Sequence, residues 1–393
     1  MNAKIADVIV IGGAAIGSSI ACQLAQRDDF SGRIVVVEAD PSYQLCASAR
    51  SAASIRQQFS SSINIEISLF GIEYLRSIGE RLEVGGDKPV IDLHEGGYLF
   101  LATPDKLDIL ETNHAKQISH GADIAFLNQT DLAQKFPWLN TDGLAAGCHG
   151  LTGEGWFDGY GLMQAFRKKA RSLNVDYVAA KVEKVRKTGE SWTVELNTGE
   201  SLSAKVLVNS AGASGSMDIC RQIGLDLPIH SRKRCVFTFE CKEPLPHFPL
   251  LIAPNGTYVR PEGNGYICGS APAPQDDHDS NDFEVDHSLF EDHIWPTLAE
   301  RIPAFEAIKP GAAWSGHYDI NLFDHNAFLG KAAGIDNFYL AVGFSGHGLQ
   351  QAPAVGRGLA ELITTGNYQT LDLSALSLKR LTQNEPLIER NVV

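Results

Sequence analysis

The strongest constraint on the fold of this chain lies in residues 7–38. After Asp7, an apolar run at 8–11 leads into a cluster of small residues at 12–17. Ile16, Ile20 and Leu24 then recur four apart, as on one face of a helix. A second apolar run, 34–37, ends in Glu38. The order strand, tight turn, helix and strand predicts one βαβ unit of the kind that binds dinucleotides.

The small residues of this unit favour a dinucleotide site. We expect Gly12 to form the turn, Gly17 to let the helix pack on the strand, and Glu38 to accept hydrogen bonds from ribose hydroxyls. The free N–H groups and the dipole at the helix start would then face a pyrophosphate. The middle glycine of the usual pattern is replaced by Ala14, whose methyl group narrows the approach to the phosphates. A glycine-rich turn of purely structural purpose is the alternative.

Composition excludes several other classes of protein. The chain has 393 residues, enough for about two or three domains. Its net charge of −14 argues against nucleic acid or an anionic membrane as a partner, since both require concentrated positive charge. The cysteines show neither C-x-x-C pairs nor metal-ligand spacing with histidine, so we expect reduced thiols and no metal site.

The start of the chain and its hydropathy bear on localisation. The first strand is expected almost directly after Met1, which leaves no room for a signal or transit peptide. No apolar run approaches the ~18 residues that a membrane span requires. The sequence therefore predicts a cytoplasmic protein without a membrane span.

Two later segments repeat the pattern of an apolar strand that leads into small residues. The segment at 204–213 is expected to return to the first sheet, and the segment from 337 to 348 predicts a third unit of strand, glycine loop and helix. The segments at 232–241, 256–260 and 265–269 are predicted as strands of a second, antiparallel sheet.

Helical spacing and short apolar runs give further local predictions. Residues 63–82 have the spacing of one long helix. Residues 94–103 are predicted as a strand, and strands at 177–180 and 192–196 are expected to flank a hairpin.

Together these stretches resemble the D-amino-acid oxidase family of FAD enzymes, which includes sarcosine oxidases and glycine oxidase. The resemblance covers nearly the whole chain, and the matching segments beyond the N-terminal loop are 54–59, 208–213, 258–261 and 343–348. Within the family, the chain is similar to the branch of the mitochondrial FAD-dependent oxidoreductase linked to complex I assembly. The segments that carry this second similarity are 154–158, 314–319, 349–353 and Asn391-Val392-Val393.

The resemblance implies an α/β (α+β) fold with two interleaved domains. A Rossmann-like FAD-binding domain would comprise residues 1–90, 148–220 and 326–393. An antiparallel-sheet substrate domain would comprise residues 91–147 and 221–325.

The resemblance also implies where FAD lies. Adenosine would lie near Glu38 and Val182, the pyrophosphate near Ser48 and Ala49, and the flavin ring under the loop 343–348. N–H groups at the helix start after this loop would stabilise the negative charge of reduced flavin. Because Gly316 occupies the place of the flavin-linking cysteine, we expect non-covalent FAD. The implied FAD contacts are Gly12, Ala14, Ala15, Ile16, Gly17, Glu38, Ala39, Ser48, Ala49, Ser54, Val182, Ala211, Gly212, Gly316, Gly343, Ser345, Gly346, His347, Gly348, Leu349 and Gln350.

In this family a hydride passes from the carbon beside an amine to flavin N5 and leaves an imine. The protein must hold that C–H bond over the ring and fix the substrate's carboxylate, which an arginine fork and a hydroxyl do well. The candidate catalytic residues by family position are Arg56, Tyr258, Arg260, His347, Tyr318 and Gln350. For Arg260 a salt bridge, and for His347 a structural hydrogen bond to backbone, are equally compatible with the sequence.

Three positions depart from the family pattern. Gln350 stands where sarcosine oxidases carry a carboxylate-binding lysine, and Tyr318 stands where glycine-oxidase-like members have an arginine. Ile267 falls where monomeric sarcosine oxidases have the lysine that promotes oxygen reduction. We therefore expect a different polar clamp, and a dehydrogenase that reduces a quinone or another carrier is an alternative to an oxidase.

The sequence thus predicts an FAD-dependent oxidoreductase that oxidises the C–N bond of an amino acid or N-substituted glycine. Its expected partners are that amine and an electron acceptor, either oxygen or a quinone. An FAD-containing assembly or scaffold protein of the respiratory chain, with little turnover, is the alternative. A nicotinamide dehydrogenase fits less well because no second dinucleotide motif is present. The substrate and the oligomeric state stay open.

Overall fold

The computed structural model describes residues 4–391, so Val392 and Val393 of the family-like ending lie outside the described residues. In chain order the strands are β1 Lys4–Ile11, β2 Ile34–Glu38, β3 Ser54–Ile55, β4 Tyr98–Ala102, β5 Ile124–Asn128, β6 Ala146–Gly150, β7 Gly155–Trp156, β8 Asp176–Ala179, β9 Val182–Thr188, β10 Ser191–Leu196, β11 Ser201–Asn209, β12 Ile229–Cys241, β13 Leu250–Ile252, β14 Tyr258–Glu262, β15 Gly265–Gly269, β16 Ile308–Asn321, β17 Phe328–Lys331 and β18 Phe338–Val342.

The helices complete the element order. They are α1 Ala15–Ala25, α2 Ala47–Arg50, α3 Ser62–Arg76, α4 Ile78–Arg81, α5 Leu107–Ser119, α6 Gln129–Lys135, α7 Gly159–Ser172, α8 Gly212–Gln222, α9 His287–Leu289, α10 Trp295–Arg301, α11 Gly348–Thr365 and α12 Lys379–Thr382. A π-helical turn, Phe290–Ile294, joins α9 to α10.

The first sheet has the strand order β17-β18-β11-β1-β2-β8, with the hairpin β9–β10 attached to β11. Its central pairs are parallel, and β1 lies between β2 and β11. Helices α1, α3, α7 and α11 cover one face, and α8 lies on the other. This arrangement of a parallel sheet between helical layers is the Rossmann-like half of the predicted fold.

The second sheet has the order β16-β12-β15-β14-β13-β4-β6-β5. All its pairs are antiparallel except β4–β13. Its strands come from two separate parts of the chain, and α6, α9 and α10 pack behind it. The predicted α/β fold with an interleaved antiparallel sheet is therefore confirmed.

The three strand–glycine–helix units meet at one edge of the first sheet. Ile11 at the end of β1 pairs with Asn209 at the end of β11, and Asn209 pairs with Leu340 near the end of β18. Parallel strands that end together place their following loops side by side, so α1, α8 and α11 all begin at this edge. Ligands of open α/β sheets bind there.

Several local predictions differ from the structure. The helix predicted at 63–82 divides at Ser77 into α3 and α4. The strand predicted at 94–103 is shorter, Tyr98–Ala102. The hairpin consists of β9 and β10, whereas β8 pairs in parallel with β2. The sequence did not predict this pairing because the pattern of a strand does not reveal its partner.

The division into two domains stays a prediction, although the sheets give it a structural basis. One predicted boundary, between residues 147 and 148, divides strand β6 of the second sheet. Within residues 4–391, no helix combines the length and apolar character needed to cross a membrane.

Candidate active site

Two positions in and after the turn that follows β1 have room only for glycine. Gly12 has φ of +92°, and a Cβ there would lie 2.4 Å from the Ser210 carbonyl oxygen. A Cβ on Gly17 would lie 1.8 Å from the Gly12 carbonyl oxygen. Both positions therefore exclude any larger residue, and the start of α1 is held close to the sheet edge. Such a turn leaves the first N–H groups of the helix for a phosphate.

Ala14 fits this turn without strain. It is the N-cap of α1 with φ of −71°, a backbone conformation that any L-residue adopts. No side chain caps the helix at Ala14, and the Ser48 hydroxyl lies 3.3 Å from the Ala15 nitrogen. The replacement of the middle glycine is thus compatible with the loop, and the predicted contacts Ala14, Ala15 and Ser48 are brought together.

Glu38 lies at the expected end of β2. Its carboxylate accepts hydrogen bonds from the Gly13 nitrogen at 2.7 Å and the Asp40 nitrogen at 2.8 Å. Burial raises the pKa of this carboxyl, and these backbone hydrogen bonds oppose the rise. Each carboxylate oxygen accepts more than one hydrogen bond, so ribose hydroxyls can still be bound.

The other predicted adenosine and pyrophosphate contacts surround the same edge. Ala39 follows Glu38, and Val182 opens β9, shortly after β8, the strand paired with β2. Ala211 caps α8, and its Cα lies 2.7 Å from the position of a Cβ on Gly12. Gly212 follows with φ of +59°, and Ala49 lies in α2.

The loop 343–348 connects β18 to α11. Asp319 of β16 accepts a hydrogen bond from the Gly343 nitrogen at 2.7 Å, which fixes the start of the loop. Burial raises the pKa of Asp319 to about 6, and hydrogen bonds from the loop backbone lower it. Ser345 has φ of +52°, and its hydroxyl accepts a hydrogen bond from Asn321. A loop tied at both places is a preorganised cradle.

The end of this loop approaches the second sheet. Gly346 has φ of +87°, and a Cβ there would lie 2.7 Å from the Tyr318 ring. His347 caps α11, whose first residues are Gly348, Leu349 and Gln350. The first N–H groups of α11 thus lie at the junction of the two sheets. Their positive dipole end suits the negative charge of a reduced cofactor.

Gly316, a predicted FAD contact, lies in β16 against α2. A Cβ on Gly316 would lie 3.0 Å from the Arg50 Cβ. Arg50 donates to the Ser315 carbonyl, and the Trp314 indole donates to the Arg50 carbonyl. Gly316 therefore contributes close packing between α2 and the second sheet.

A cavity lies between the sheets at this junction. Eight of the predicted site residues line it: Ser54, Arg56, Tyr258, Tyr318, Gly346, His347, Leu349 and Gln350. The remaining lining residues are Ser51, Ala52, Ala53, Tyr98, Leu250 and Ile252. None of these described residues is acidic, so a permanent charge comes from Arg56 alone. Such a cavity suits an anionic group among aromatic side chains.

Arg56 is buried, and its guanidinium is only partly paired. Its Nη2 lies 3.1 Å from His347 Nε2 and also donates to the Asn391 carbonyl. Nε is buried without a partner, and Nη1 makes no hydrogen bond to the described residues. Burial lowers the pKa of Arg56, but the guanidinium stays charged because arginine is not deprotonated in proteins. A buried cation with unused donors requires an acceptor, and a carboxylate offers two oxygens.

His347 serves as a neutral acceptor for Arg56. Because a guanidinium only donates, His347 Nε2 must accept and its proton must lie on Nδ1. Burial and the Arg56 charge lower the pKa of His347. An edge-to-face contact between the His347 and Phe59 rings, with centroids 5.0 Å apart, fixes the imidazole further.

Gln350 holds the backbone of the same arginine. Its Oε1 accepts a hydrogen bond from the Arg56 nitrogen at 2.9 Å. Gln350 and His347 both belong to the start of α11, so this helix positions Arg56 through its backbone and its side chain.

Arg260 does not line the cavity. It is buried, its Nη2 donates to the Ala52 carbonyl at 2.6 Å, and its Nη1 donates to Pro261 and Glu262. Because Ala52 does line the cavity, Arg260 holds the cavity wall. The structure therefore brings Arg56 and Tyr258 together and leaves Arg260 behind the wall.

The structure reveals site residues that sequence reasoning missed. Tyr98 lines the cavity and donates to the Ser54 hydroxyl. Glu154 and Asp319 belong to the family-like segments 154–158 and 314–319, but the sequence predicts no role for them or for Glu389. The signal available for Glu154 and Asp319 was an acid inside an otherwise apolar or aromatic segment, but their partners are distant in sequence.

Glu154 supports the segment that carries Arg56. It is fully buried and accepts hydrogen bonds from the backbone of Gln57 at 2.6 Å and from the side chain of Gln58 at 2.8 Å. Burial raises its pKa to about 7.

The residues fit a dinucleotide cofactor. The turn at Gly12 and Gly17, the acid Glu38 and the start of α11 form a path along one sheet edge that ends at the cavity. That path agrees with FAD in its extended form.

Comparisons with known proteins agree with this geometry. Residues 7–362 match the family described as DAO, FAD dependent oxidoreductase. The chain is 40% identical to FAD-dependent oxidoreductase domain-containing protein 1 of Xenopus laevis, over 99% of this chain and 85% of that protein. It is 26% identical to the mitochondrial dimethylglycine dehydrogenase of Homo sapiens, over 92% of this chain and 43% of that protein.

A solved structure shows the same fold. The crystal structure of L-proline dehydrogenase from P. horikoshii superposes with a TM-score of 0.86 at 23% identity and covers 98% of this chain and 100% of that chain. The predicted family and the predicted FAD cofactor are confirmed. This chain belongs to the DAO family and is an FAD-dependent oxidoreductase.

Proposed function

We propose that this protein oxidises the C–N bond of an amino acid or N-substituted glycine to an imine. The observation that carries the proposal is the buried guanidinium of Arg56, which lines the cavity and whose Nε and Nη1 have no acceptor among the described residues. A substrate carboxylate bound there would leave its amine and α-carbon among the tyrosine rings.

The proposed oxidation removes one hydride and one proton from the amine. The α-C–H bond of the substrate would lose its hydride, for which FAD would supply the acceptor when bound, and the nitrogen lone pair would form the C=N bond of an iminium ion. Loss of a nitrogen proton gives the imine, which water hydrolyses. If the amine binds without its proton, no strong base is required, in keeping with a cavity whose described lining is free of acidic residues.

The chain's own residues would bind and orient the substrate. Arg56 would hold the carboxylate, with its guanidinium fixed by neutral His347. The rings of Tyr98, Tyr258 and Tyr318 would exclude water and hold the α-carbon in place. The proposed FAD contacts remain those predicted from the sequence, of which 343–350 lie nearest to this cavity.

The relatives support this class of substrate. Dimethylglycine dehydrogenase, glycine oxidase and L-proline dehydrogenase are each named for a compound with a nitrogen beside a carboxylated carbon. We extend this common feature to the present chain without choosing one compound.

The electron acceptor is proposed to be oxygen or a quinone-like carrier. Ile267, at the position of the oxygen-promoting lysine, is buried, and no lysine is among the described residues that line the cavity. We favour a carrier over oxygen for this reason.

A dye-reduction screen tests the proposal. Purified holoenzyme is supplied with amino acids, N-substituted glycines and simple amines, with an artificial acceptor, in air and under nitrogen. Dye reduction by carboxylated amines, and not by their decarboxylated analogues, is the expected result. If no amine reduces the dye or consumes oxygen, the assembly or scaffold alternative replaces the enzymatic function.

A further inference from the structure

The segment 387–391 reaches the guanidinium of Arg56. The Asn391 carbonyl accepts a hydrogen bond from Nη2, the same nitrogen that contacts His347. The Asn391 side-chain amide donates to the Gln58 carbonyl at 3.0 Å. The segment thus contacts both the side chain of Arg56 and the backbone two residues further on.

Glu389 anchors this segment. Its Oε1 accepts hydrogen bonds from the backbone and hydroxyl of Ser60, both at 2.7 Å, and from the Asn391 nitrogen at 3.1 Å. Its Oε2 accepts from the backbone and hydroxyl of Ser61 and from Asn64. Glu389 is 1% exposed. Six donors around one buried carboxylate form a built anchor, since each satisfied charged hydrogen bond is stronger than a neutral one.

The charge of Glu389 also matters to Arg56. Burial raises the pKa of Glu389, but the hydrogen bonds from Ser60 and Asn64 outweigh it and lower the pKa. The ionised carboxylate of Glu389 partly compensates the buried charge of Arg56, although among the described residues it hydrogen-bonds to Ser60, Ser61, Asn64 and Asn391 and not to Arg56 itself. The guanidinium therefore keeps donors for a ligand, which a directly bound carboxylate would occupy.

A second anchor fixes the start of the segment. Asp324 accepts a hydrogen bond from the Leu387 nitrogen at 3.1 Å, and its carbonyl accepts from the Glu389 nitrogen at 3.0 Å. Arg380 binds the same Asp324 carboxylate. The segment is thus hydrogen-bonded to Asp324 on both sides of Ile388, which fixes the backbone that leads to Asn391.

We infer that segment 387–391 is a positioning element of the substrate site, in which Glu389 fixes the segment and Asn391 fixes Arg56 so that Nε and Nη1 face a substrate carboxylate. Neither residue touches the reacting atoms. The inference rests on the proposed function, because it requires Arg56 to bind a carboxylate.

Carboxylate binding to the holoenzyme tests this role without turnover. Acetate and benzoate are titrated separately, and the change in visible absorption of bound FAD gives Kd. Glu389→Gln should weaken binding by about tenfold or more, because a misplaced guanidinium loses one charged hydrogen bond to the ligand. A role of Glu389 through charge alone predicts the opposite sign, since removal of a nearby anion would tighten binding.

Two further variants complete the test. Asn391→Gly removes the side-chain anchor to Gln58 while retaining a backbone carbonyl, and it should weaken binding in the same direction if Glu389→Gln does not fold. Arg390→Gln is the matched control, because this exposed neighbour makes no side-chain hydrogen bond within the described residues, and it should leave Kd unchanged.

The outcomes separate the two proposals. If the wild type binds neither carboxylate, the proposed function and the positioning role are both overturned. If the wild type binds and both Glu389→Gln and Asn391→Gly bind equally well or more tightly, the positioning role alone is overturned. Weaker binding by either variant, with an unchanged Arg390→Gln, supports it.

Discussion

At the scale of single residues, Arg56 is the centre of the site because its charge is buried and its donors are incompletely used. Its neighbours have complementary tasks: His347 and Asn391 accept from Nη2, and Gln350 accepts from the backbone nitrogen. The contacts on Phe59 and Phe100, 4.5 and 5.3 Å from the guanidinium carbon to the ring centroids, confine it further. A fixed, planar fork is better suited to a carboxylate than a flexible ammonium group.

Replacing this fork tests its role. Arg56→Lys keeps a positive charge but offers a point charge in place of two parallel donors, so KM for a carboxylated substrate should rise roughly 30- to 100-fold. The KM for a decarboxylated analogue, where it is oxidised at all, should stay within about threefold, because it makes no use of the fork. Equal effects on both substrates would contradict a carboxylate-binding role for Arg56.

Glu154 gives a prediction about pH. Its pKa is raised to about 7 from 4.5 by burial, so the folded protein binds this proton more tightly than the unfolded chain does. Stability from this group is therefore present at low pH and is lost as pH rises from about 4.5 through 7. Glu154→Gln lacks this loss. Its free energy of unfolding relative to wild type should therefore rise by an amount on the order of 3 kcal/mol between about pH 5 and 8, which is measured as a rise in its relative melting temperature.

Glu389→Gln is the control for this series. The pKa of Glu389 is lowered in the fold, where hydrogen bonds from Ser60 and Asn64 outweigh the effect of burial. This carboxyl is thus ionised in the folded and unfolded states above about pH 5, and the difference in melting temperature should not vary with pH there. A parallel slope in both variants would contradict the assignment to Glu154.

At the scale of elements, the loops that follow β1 and β18 are preformed by their backbone. Gly17 and Gly346 leave no space for a Cβ, the first against a carbonyl oxygen and the second against the Tyr318 ring. Ala14, by contrast, has an ordinary helical-entry conformation. The requirement for glycine is therefore local to particular positions of each loop.

Substitutions in the first loop should reflect this difference. Gly17→Ala should reduce FAD affinity by about tenfold or more, because a 1.8 Å approach forces α1 away from the turn. Ala14→Gly should change it by less than about threefold, because a glycine adopts the same φ without strain. Fluorescence titration of apoprotein with FAD measures both, and a stronger effect at Ala14 would contradict this description.

Gly346 of the loop after β18 can be compared with Gly334, which lies between β17 and β18. Gly334→Ala carries only the strain of φ +78°, since nothing lies within 4 Å of its Cβ position. It should lower stability by about 1–2 kcal/mol and leave FAD affinity unchanged. Gly346→Ala adds the clash with Tyr318, so it should destabilise more and also weaken FAD binding. Thermal unfolding and FAD titration measure both effects for each variant. Equal effects of the two substitutions on FAD affinity would contradict a place for the loop 343–348 in the cofactor site.

The sequence revealed the elements whose signals are local. The pattern of Gly12, Gly17 and Glu38 indicated the first βαβ unit because turn, helix and acid lie within one short segment. The break at Ser77 and the pairing of β8 were missed, since helical spacing continues across the break and strand pairing depends on distant residues.

The same reason divides the candidate site. Arg56, Tyr258 and His347 could be predicted because family position identifies each one separately. The anchors Glu154, Asp319 and Glu389 could not, because their partners lie 96, 24 and 329 residues away. Arg260 shows the converse: its place on the strand beside Tyr258 did not reveal that its guanidinium is used on Ala52.

At the scale of the whole molecule, the site lies where two sheets meet. The first sheet and the helix α11 that packs on it form the cofactor path, and the second sheet carries Tyr98, Tyr258 and Tyr318. FAD bound along this path would contact both parts, so it should raise the melting temperature in a concentration-dependent manner.

The mode of FAD attachment is a property of this assembly. The family resemblance predicts Gly316 at the position of a flavin-linking cysteine, and in the structure Gly316 packs against Arg50. Acid precipitation of the holoenzyme should therefore release the flavin into the supernatant. Flavin retained in the washed pellet would show a covalent bond and contradict non-covalent binding.

Anaerobic reduction of the bound flavin tests the central claim most directly. Holoenzyme is mixed with each amine in the absence of oxygen, and the visible absorption of the oxidised flavin is followed. We predict loss of that absorption with at least one amino acid or N-substituted glycine, at a lower concentration for wild type than for Arg56→Lys. Unchanged absorption with every carboxylated amine, or reduction that Arg56→Lys leaves unaffected, would contradict the account.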